Sequence, residues 1–265
     1  MAKPLLPDDL WEIIRPLLPP APVRPPGAPG RPRVGDREAL TGILFVLKTG
    51  IPWEDLPVEM GCGSGMTCWR RLRDWQAAGV WGDLHQELLR RLDAAGAIDW
   101  SRAAVDSSFA RAYGGAADSG PSPVDRGHPG VKHHVLVDAN GIPLAVDTTP
   151  ANVPEVKRLI PLVDAAGPLD EDTGEPGGRP EVLYGDRGYD SEPHRQELRD
   201  RGIEPKLAKR RTAHGSGLGV YRWVVERFFA WLHGLRKLRL VTERTDETQL
   251  AFLNLACAVI CFRFL

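Results

Sequence analysis

Apolar residues recur at helical spacing in several stretches of the first hundred residues. Leu5 to Leu18 follows a Pro7-Asp8-Asp9 start and runs into Pro19-Pro20, which end a helix. Asp36 opens a second helix through about Lys48, stopped by Thr49-Gly50-Ile51-Pro52, and Trp53 to Leu56 reads as a short helical turn. Ser64 is a good N-cap for a third helix reaching Ala78, and a fourth spans Gly82 to Ala95. On the third helix Trp69, Leu72 and Trp75 fall on an inward side, while Arg70 and Arg73 share an outer one. A short helix, a glycine-containing turn and a basic helix make a helix-turn-helix-like unit; a small bundle with a solvated basic face fits the same pattern. Residues 19–33, rich in proline and glycine and carrying Arg24, Arg31 and Arg33, form an extended basic arm.

After residue 98 the pattern changes. Ala103-Ala104-Val105 is a short buried strand ending in Asp106. His133–Val137 and Ile142–Asp147 alternate about Asp138-Ala139-Asn140-Gly141, a strong hairpin signal. Pro154–Ala166 reads as a helix, and 167–180, acidic and rich in glycine and proline, as a mobile surface insertion. Glu181–Tyr184 is another strand, closely followed by Asp186. Ser191 caps a helix to about Arg201, and helices follow over Val220–Leu235 and Glu247–Phe264. The order predicts an α/β domain, a sheet with helices on its faces, over 99–265, preceded by a small all-α region over 1–98.

Composition first points away from nucleic acid: 34 basic against 35 acidic residues in 265, a net charge of -1. The distribution reverses that. Residues 1–98 carry 12 of each sign, 99–203 carry 11 basic and 18 acidic, and 204–265 carry 11 basic and 5 acidic. An acidic middle and a basic end suit a protein that handles DNA. No apolar run approaches the ~18–20 residues of a membrane helix and no signal pattern opens the chain, so the expected location is the cytoplasm, with no membrane partner. Four cysteines are too few for a disulfide framework: Cys257 and Cys261 belong to an apolar helix, and Cys62 and Cys68 lack zinc-site partners. No phosphate loop or dinucleotide fingerprint implies a nucleotide cofactor. His133 and His134 point to opposite faces of a strand and cannot ligate together.

Asp106 and Asp186 share a context, an apolar strand followed by small or flexible residues, and each fits either a cap for the next turn or half of a convergent carboxylate pair. A helical wheel over Val220–Lys237 sets Val220, Val224, Phe228, Trp231, Leu232 and Leu235 on one arc. Arg222, Glu226, Phe229, His233 and Lys237 lie opposite. Glu226 is either a surface partner of Arg222 or a third acid on a stiff scaffold. Three acids suit Mg²⁺ or Mn²⁺, and two such ions ~3.5–4 Å apart clamp an in-line phosphoryl displacement. Lys206, Lys209, Arg210, Arg211, Arg222, Arg227, Arg236, Lys237, Arg239 and Arg244 then form a track for phosphates.

The motifs add a resemblance. Leu6-Pro7-Asp8-Asp9-Leu10-Trp11, Gly30-Arg31-Pro32-Arg33, Gly50-Ile51-Pro52-Trp53 with Asp55-Leu56-Pro57, and Trp69-Arg70-Arg71-Leu72-Arg73-Asp74-Trp75 carry it in the first part. Val105-Asp106-Ser107-Ser108, Asp125-Arg126-Gly127, Gly130-Val131-Lys132-His133-His134, Ala151-Asn152, Gly185-Asp186-Arg187-Gly188-Tyr189-Asp190 and Arg222-Trp223-Val224-Val225-Glu226-Arg227 carry it in the second. In these residues nearly the whole chain resembles the bacterial insertion-sequence transposases of the family-five group. The resemblance implies an RNase H-like catalytic domain over 99–265 and a catalytic triad of Asp106, Asp186 and Glu226. It departs at Gly219 and His233, where relatives often show tyrosine and lysine, and at Pro154-Glu155, where they show a polar or acidic pair.

The expected enzyme is a metal-dependent transposase that cuts at element ends and joins them to target DNA, using one or, more fully, two Mg²⁺ or Mn²⁺ ions. Arg222, His233 and Lys237 are expected to orient the DNA backbone, with Arg70, Arg73, Arg31 and Arg33 as further DNA contacts. Its partners are double-stranded DNA, as terminal inverted repeats and target, and further copies of itself in a dimer or larger assembly. A catalytically retired, DNA-binding transposase and a metal-dependent nuclease without strand transfer are the rival readings.

Overall fold

The computed structural model describes residues 4–23, 25, 32–113, 116, 118–170, 177–211 and 219–265. The helical opening has α1 (Asp8–Ile14), α2 (Asp36–Thr49), α3 (Gly65–Ala77) and α4 (Val80–Ala94). The anticipated signals set their ends. Ser64 Oγ accepts the Thr67 N–H at 3.2 Å at the start of α3, and Gly50 leaves α2 in the left-handed region with φ 72°. Two 3₁₀ turns, Trp53–Asp55 and Val58–Met60, lie between α2 and α3. Arg24 and Arg31 of the basic arm lie outside the described residues, as does 171–176 of the acidic insertion. The flanks of that insertion are tied down: the Gly167 N–H donates to Leu144 O and the Gly177 N–H to Pro168 O.

The second part is a seven-stranded mixed sheet: β1 (Ala103–Ala112), β2 (Gly120–Pro121), β3 (Pro129–Asp138), β4 (Pro143–Pro150), β5 (Val182–Gly185), β6 (Glu204–Leu207) and β7 (Leu240–Val241). Its main path runs β4-β3-β1-β5-β6. The first three strands are antiparallel, and β5 and β6 continue parallel to β1. The short β2 pairs with the start of β3, and β7 with the far end of β1. This is the α/β, RNase H-like class the motifs implied. The hairpin forms where expected. Fully buried Asp138 accepts the N–H groups of Asn140 and Ile142 on one oxygen and of Asp99 on the other, while Gly141 takes φ 83°.

Four remaining helices flank the sheet. α5 (Leu159–Asp164), entered by a 3₁₀ turn at Glu155–Arg158, packs on β3, β4 and α6 (Glu192–Asp200). α7 (Gly219–Gly234) and α8 (Asp246–Cys261) cover the face bearing Asp106, Ser108 and His133. α8 also packs against α3 and α4 of the helical opening, and one continuous apolar core runs from Leu6 to Cys261 across both parts. Contrary to expectation, the stretch Asp246–Phe264 is long and apolar enough to cross a membrane by length and composition; 61% of its most apolar window is buried inside the molecule. An α-helix apolar nearly all round is also what a central core helix requires.

Three sequence expectations are corrected. Asp106 does not end its strand; β1 continues six residues beyond it because Ser107, Ser108 and Phe109 still pair with β3. β6 was missed, its Glu-Pro-Lys-Leu composition giving no apolar run. Trp69 is only half-buried, beside the Arg73 guanidinium, whereas Leu72 and Trp75 do enter the core.

Candidate active site

The sheet register brings Asp106 and Asp186 together. β1 and β5 run parallel with Val105 opposite Gly185, so the next residue on each chain is an aspartate. Asp106 is mostly enclosed: its Oδ1 accepts the Ser107 N–H at 2.8 Å and its Oδ2 accepts Arg222 Nη2 at 2.7 Å. Burial pushes its carboxyl up to about 6; Arg222 and the Ser107 N–H oppose that, and the nearby Asp186 charge adds to it. Asp186 opens a 3₁₀ turn, Arg187–Tyr189, with Oδ1 accepting the Gly188 N–H at 2.8 Å. Asp186 therefore caps a turn, as one of the two alternatives had it, and its charge lies near the Asp106 carboxyl.

α7 brings basic chemistry to the pair. Arg222 reaches Asp106, and His233, farther along the helix, shares a 3.0 Å hydrogen bond with Ser108 on β1. Burial, then the Arg239 charge, lowers the His233 pKa. Glu226, one turn after Arg222, is exposed. Among the described residues no three His, Cys, Asp or Glu side chains gather as a ready-made metal-ligand set, so Glu226 does not close on the two aspartates here.

The wheel misplaced Lys237. α7 stops at Gly234, and Lys237 sits in a separate 3₁₀ turn, Arg236–Arg239, where it is buried. Its ammonium pairs with buried Glu243 at 2.7 Å, donates to Thr242 Oγ1 at 2.8 Å and lies over the Trp53 and Phe252 rings. It has no free face for a phosphate. Much of the basic track is similarly occupied. Arg227 lies 4.4 Å and 4.9 Å from the ring centroids of Trp223 and Trp231, Arg210 donates to the carbonyls of Arg187 and Gly188, and Arg239 donates to that of His233. Val220, placed on the apolar arc, is exposed. In the helical opening Arg70 is exposed, Arg73 pairs with Asp74, and Arg33 pairs with Asp36. Arg31 lies outside the described residues.

The donor chemistry fits a hard divalent cation. Carboxylate oxygens are its preferred partners, a mostly enclosed carboxyl beside a second one carries charge that a cation would relieve, and the Tyr189 hydroxyl, fully buried, has no hydrogen-bond partner among the described residues. Sequence reasoning missed Tyr189, Lys132 and Glu155 as neighbours of the site, although Gly-Asp-Arg-Gly-Tyr-Asp and Gly-Val-Lys-His-His were both singled out as motifs. His133 and His134 face opposite sides as expected: His133 accepts from Gln249 on α8, and His134 meets Thr149 on β4.

Two family models match the chain, "Putative transposase of IS4/5 family" over residues 6–85 and "Transposase DDE domain" over residues 99–261. The chain is 58% identical over 151 residues, 57% of its length and 72% of the relative's, to "Putative transposase for insertion sequence element IS402" of Burkholderia cepacia. It is 64% identical over 123 residues, 46% of its length and 84% of the relative's, to an uncharacterized 16.2 kDa protein of the same insertion element. It also aligns with the crystal structure of the Mos1 strand transfer complex at a TM-score of 0.34 and 12% identity, over 92% of this chain and 79% of that one. With the DDE domain matched across more than half its residues, the chain belongs to the IS4/5 family of DDE transposases.

Proposed function

We propose that Asp106, Asp186 and Glu226 are the catalytic carboxylates with which this transposase cuts double-stranded DNA at the ends of an insertion sequence and joins those ends to a target. The observation that carries the reading is the β1–β5 register, which sets one aspartate in β1 beside another just past the end of β5, with Arg222 bonded to the first. DDE transposase domains depend on divalent metal in general; here Asp106 and Asp186 would hold Mg²⁺ or Mn²⁺, two ions in the fullest form, with Glu226 completing the set. When bound there, such ions would supply an activated water and neutralise charge on the phosphodiester.

The chain's own groups do the rest. The Ser107 N–H and Arg222 fix the Asp106 carboxylate, and the Gly188 N–H fixes that of Asp186. Arg222 and Glu226, four residues apart, project from one side of α7, so that one turn of helix presents a cation for the DNA phosphate and an acid for the metal together. His233, held by Ser108, borders the same face of β1. Residues 1–98, with Arg70 and Arg73 on α3 and Arg33 at the end of the arm, serve as the DNA-binding region, and 99–265 as the catalytic domain. Handling two element ends together calls for two or more copies on DNA.

The test is purified full-length protein with Mg²⁺ and DNA carrying candidate terminal repeats. Nicking at the repeat ends and joining to a target are expected from the native chain, with both lost by at least 10³-fold in Asp186→Asn. Cleavage that survives Asp186→Asn unaltered overturns the assignment, and nicking without joining favours the nuclease reading.

A further inference from the structure

The Asp186 turn is bounded on its far side by a charged pair to which the proposed reaction gives no part. Lys132 on β3 is buried and donates to Val153 O at 2.9 Å, and its ammonium lies 2.6 Å from Glu155 Oε1. The other Glu155 oxygen faces the site: a Cβ placed on Gly188 would lie 2.9 Å from Asp186 Oδ1 and 3.6 Å from Glu155 Oε2. The segment Glu155–Arg158 packs against the turn Arg187–Tyr189, so the approach is built by two elements and not by one side chain. Tyr189, the last residue of that turn, supplies an independent sign. It is fully buried, its hydroxyl has no hydrogen-bond partner among the described residues, and Asp106, Asp186 and Glu155 all act on it, adding to the effect of burial.

A buried lysine bound to a glutamate is a costly device if all it does is fill space, since each ion gives up hydration. Here it does something specific. With Oε1 held by Lys132, the carboxylate cannot turn away, and Oε2 stays beside Asp186. Two carboxylates across a glycine repel one another unless a cation or a hydrogen-bond donor lies between or beside them. No set of three ligands closes among the described residues, so Glu155 acts at one remove from the cation, through its charge and through the Asp186 carboxylate that it borders.

We propose that Glu155, clamped by Lys132, is a positioning residue for Asp186. It holds the negative field and the carboxylate orientation in which Asp106 and Asp186 take up a divalent cation, with the Tyr189 hydroxyl as the donor on the same side. The proposal rests on the metal-binding reading of Asp106 and Asp186 given above.

The test uses the full-length protein and follows Mn²⁺ binding by the electron paramagnetic resonance of free Mn²⁺, alongside the Mg²⁺ dependence of nicking. Glu155→Gln weakens Mn²⁺ binding about 10- to 100-fold and raises the half-saturating Mg²⁺ similarly, while the nicking rate at saturating Mg²⁺ stays within a few-fold. Glu155→Asp, one methylene shorter but still charged, recovers part of the loss. It also carries the test if Glu155→Gln melts early, since Mn²⁺ affinity equal to the native protein's then counts against the role. The double variant Lys132→Met/Glu155→Gln removes both charges together and stays weak. Recovery of native Mn²⁺ affinity in that double variant makes the pair merely structural and overturns the proposal, as does native affinity in Glu155→Gln when Asp186→Asn abolishes binding. Native binding in Asp186→Asn itself overturns the reading of Asp186, and the proposal with it.

Discussion

Three histidines are kept neutral by burial. His85 Nε2 lies 2.8 Å from Pro143 O, His133 accepts from Gln249, and His134 meets Thr149, and burial pushes their pKa values down to about 4, 3 and 4. A depressed histidine stabilises the fold above its unfolded pKa of ~6.5 and loses that contribution as pH falls toward the folded value, by ~1.4 kcal/mol per pH unit for each group. Asp106 and Asp138 work in reverse. Burial raises both to about 6, so the folded state holds their protons more tightly and gains as pH falls below that. Asp246 is raised like these two, His233 is depressed like the other histidines, and Asp99, Glu155 and Asp190 are held below the usual carboxylate range, so the losses outnumber the gains and the metal-free protein weakens as pH falls below about 6.5. Urea unfolding at pH 7, 6 and 5 checks this, and a stability that rises along that path contradicts it. At this scale the sequence was most readable where one residue makes one local bond, as Ser64 does at its cap. It was least readable where a role depends on distant partners. Nothing local marks Glu155 as the neighbour of Asp186, since the two meet only through the packing of Glu155–Arg158 against Arg187–Tyr189.

Elements show a similar division. Helices with capping residues at one end and glycine or proline at the other were legible to within about two residues, because those signals act within a single turn. Where an end is decided by tertiary packing, the expectation slipped. β1 runs past Asp106 because β3 is there to pair with Ser107 and Ser108, and the wheel carried α7 on to Lys237 although Gly234 ends it. The start of α3 offers a direct test. A Cβ on Gly65 would fall 1.7 Å from Trp53 O, a backbone atom that cannot swing aside. Alanine is favoured over glycine in a helix by ~1 kcal/mol. Gly65→Ala should nonetheless destabilise by ~1–3 kcal/mol, because α3 and the Trp53 turn must separate. Chemical denaturation reads the sign, and a more stable variant would mean that the turn yields freely. Arg71 gives the same junction a second hold: it is buried, pairs with Asp36 on α2 and donates to Val34 O at 3.2 Å.

For the whole molecule, the two parts inferred from patterning are joined more closely than their different characters imply. α8 touches α3 and α4 on one side and β4 on another, and its residues Phe252, Leu255, Ala256 and Ile260 are buried in a core shared by both. Patterning showed that this helix is apolar but not what surrounds it, since an apolar helix fits a core, an interface or a lipid bilayer equally well. The shared core predicts that residues 1–98 produced alone have no cooperative melting transition, and that co-production with 99–265 restores one. A sharp melt from 1–98 alone would show instead that the helical opening is self-sufficient.

The position of α8 in the chain also sets a timetable. Among the described residues it follows every other α-helix and sheet strand, so the apolar sides of α3 and α4 leave the ribosome long before their covering partner exists. At roughly 5–20 residues per second, synthesis of the stretch between α4 and α8 takes on the order of 10–30 s. Over that interval the apolar core of the nascent chain stays open, and it closes only once α8 has docked.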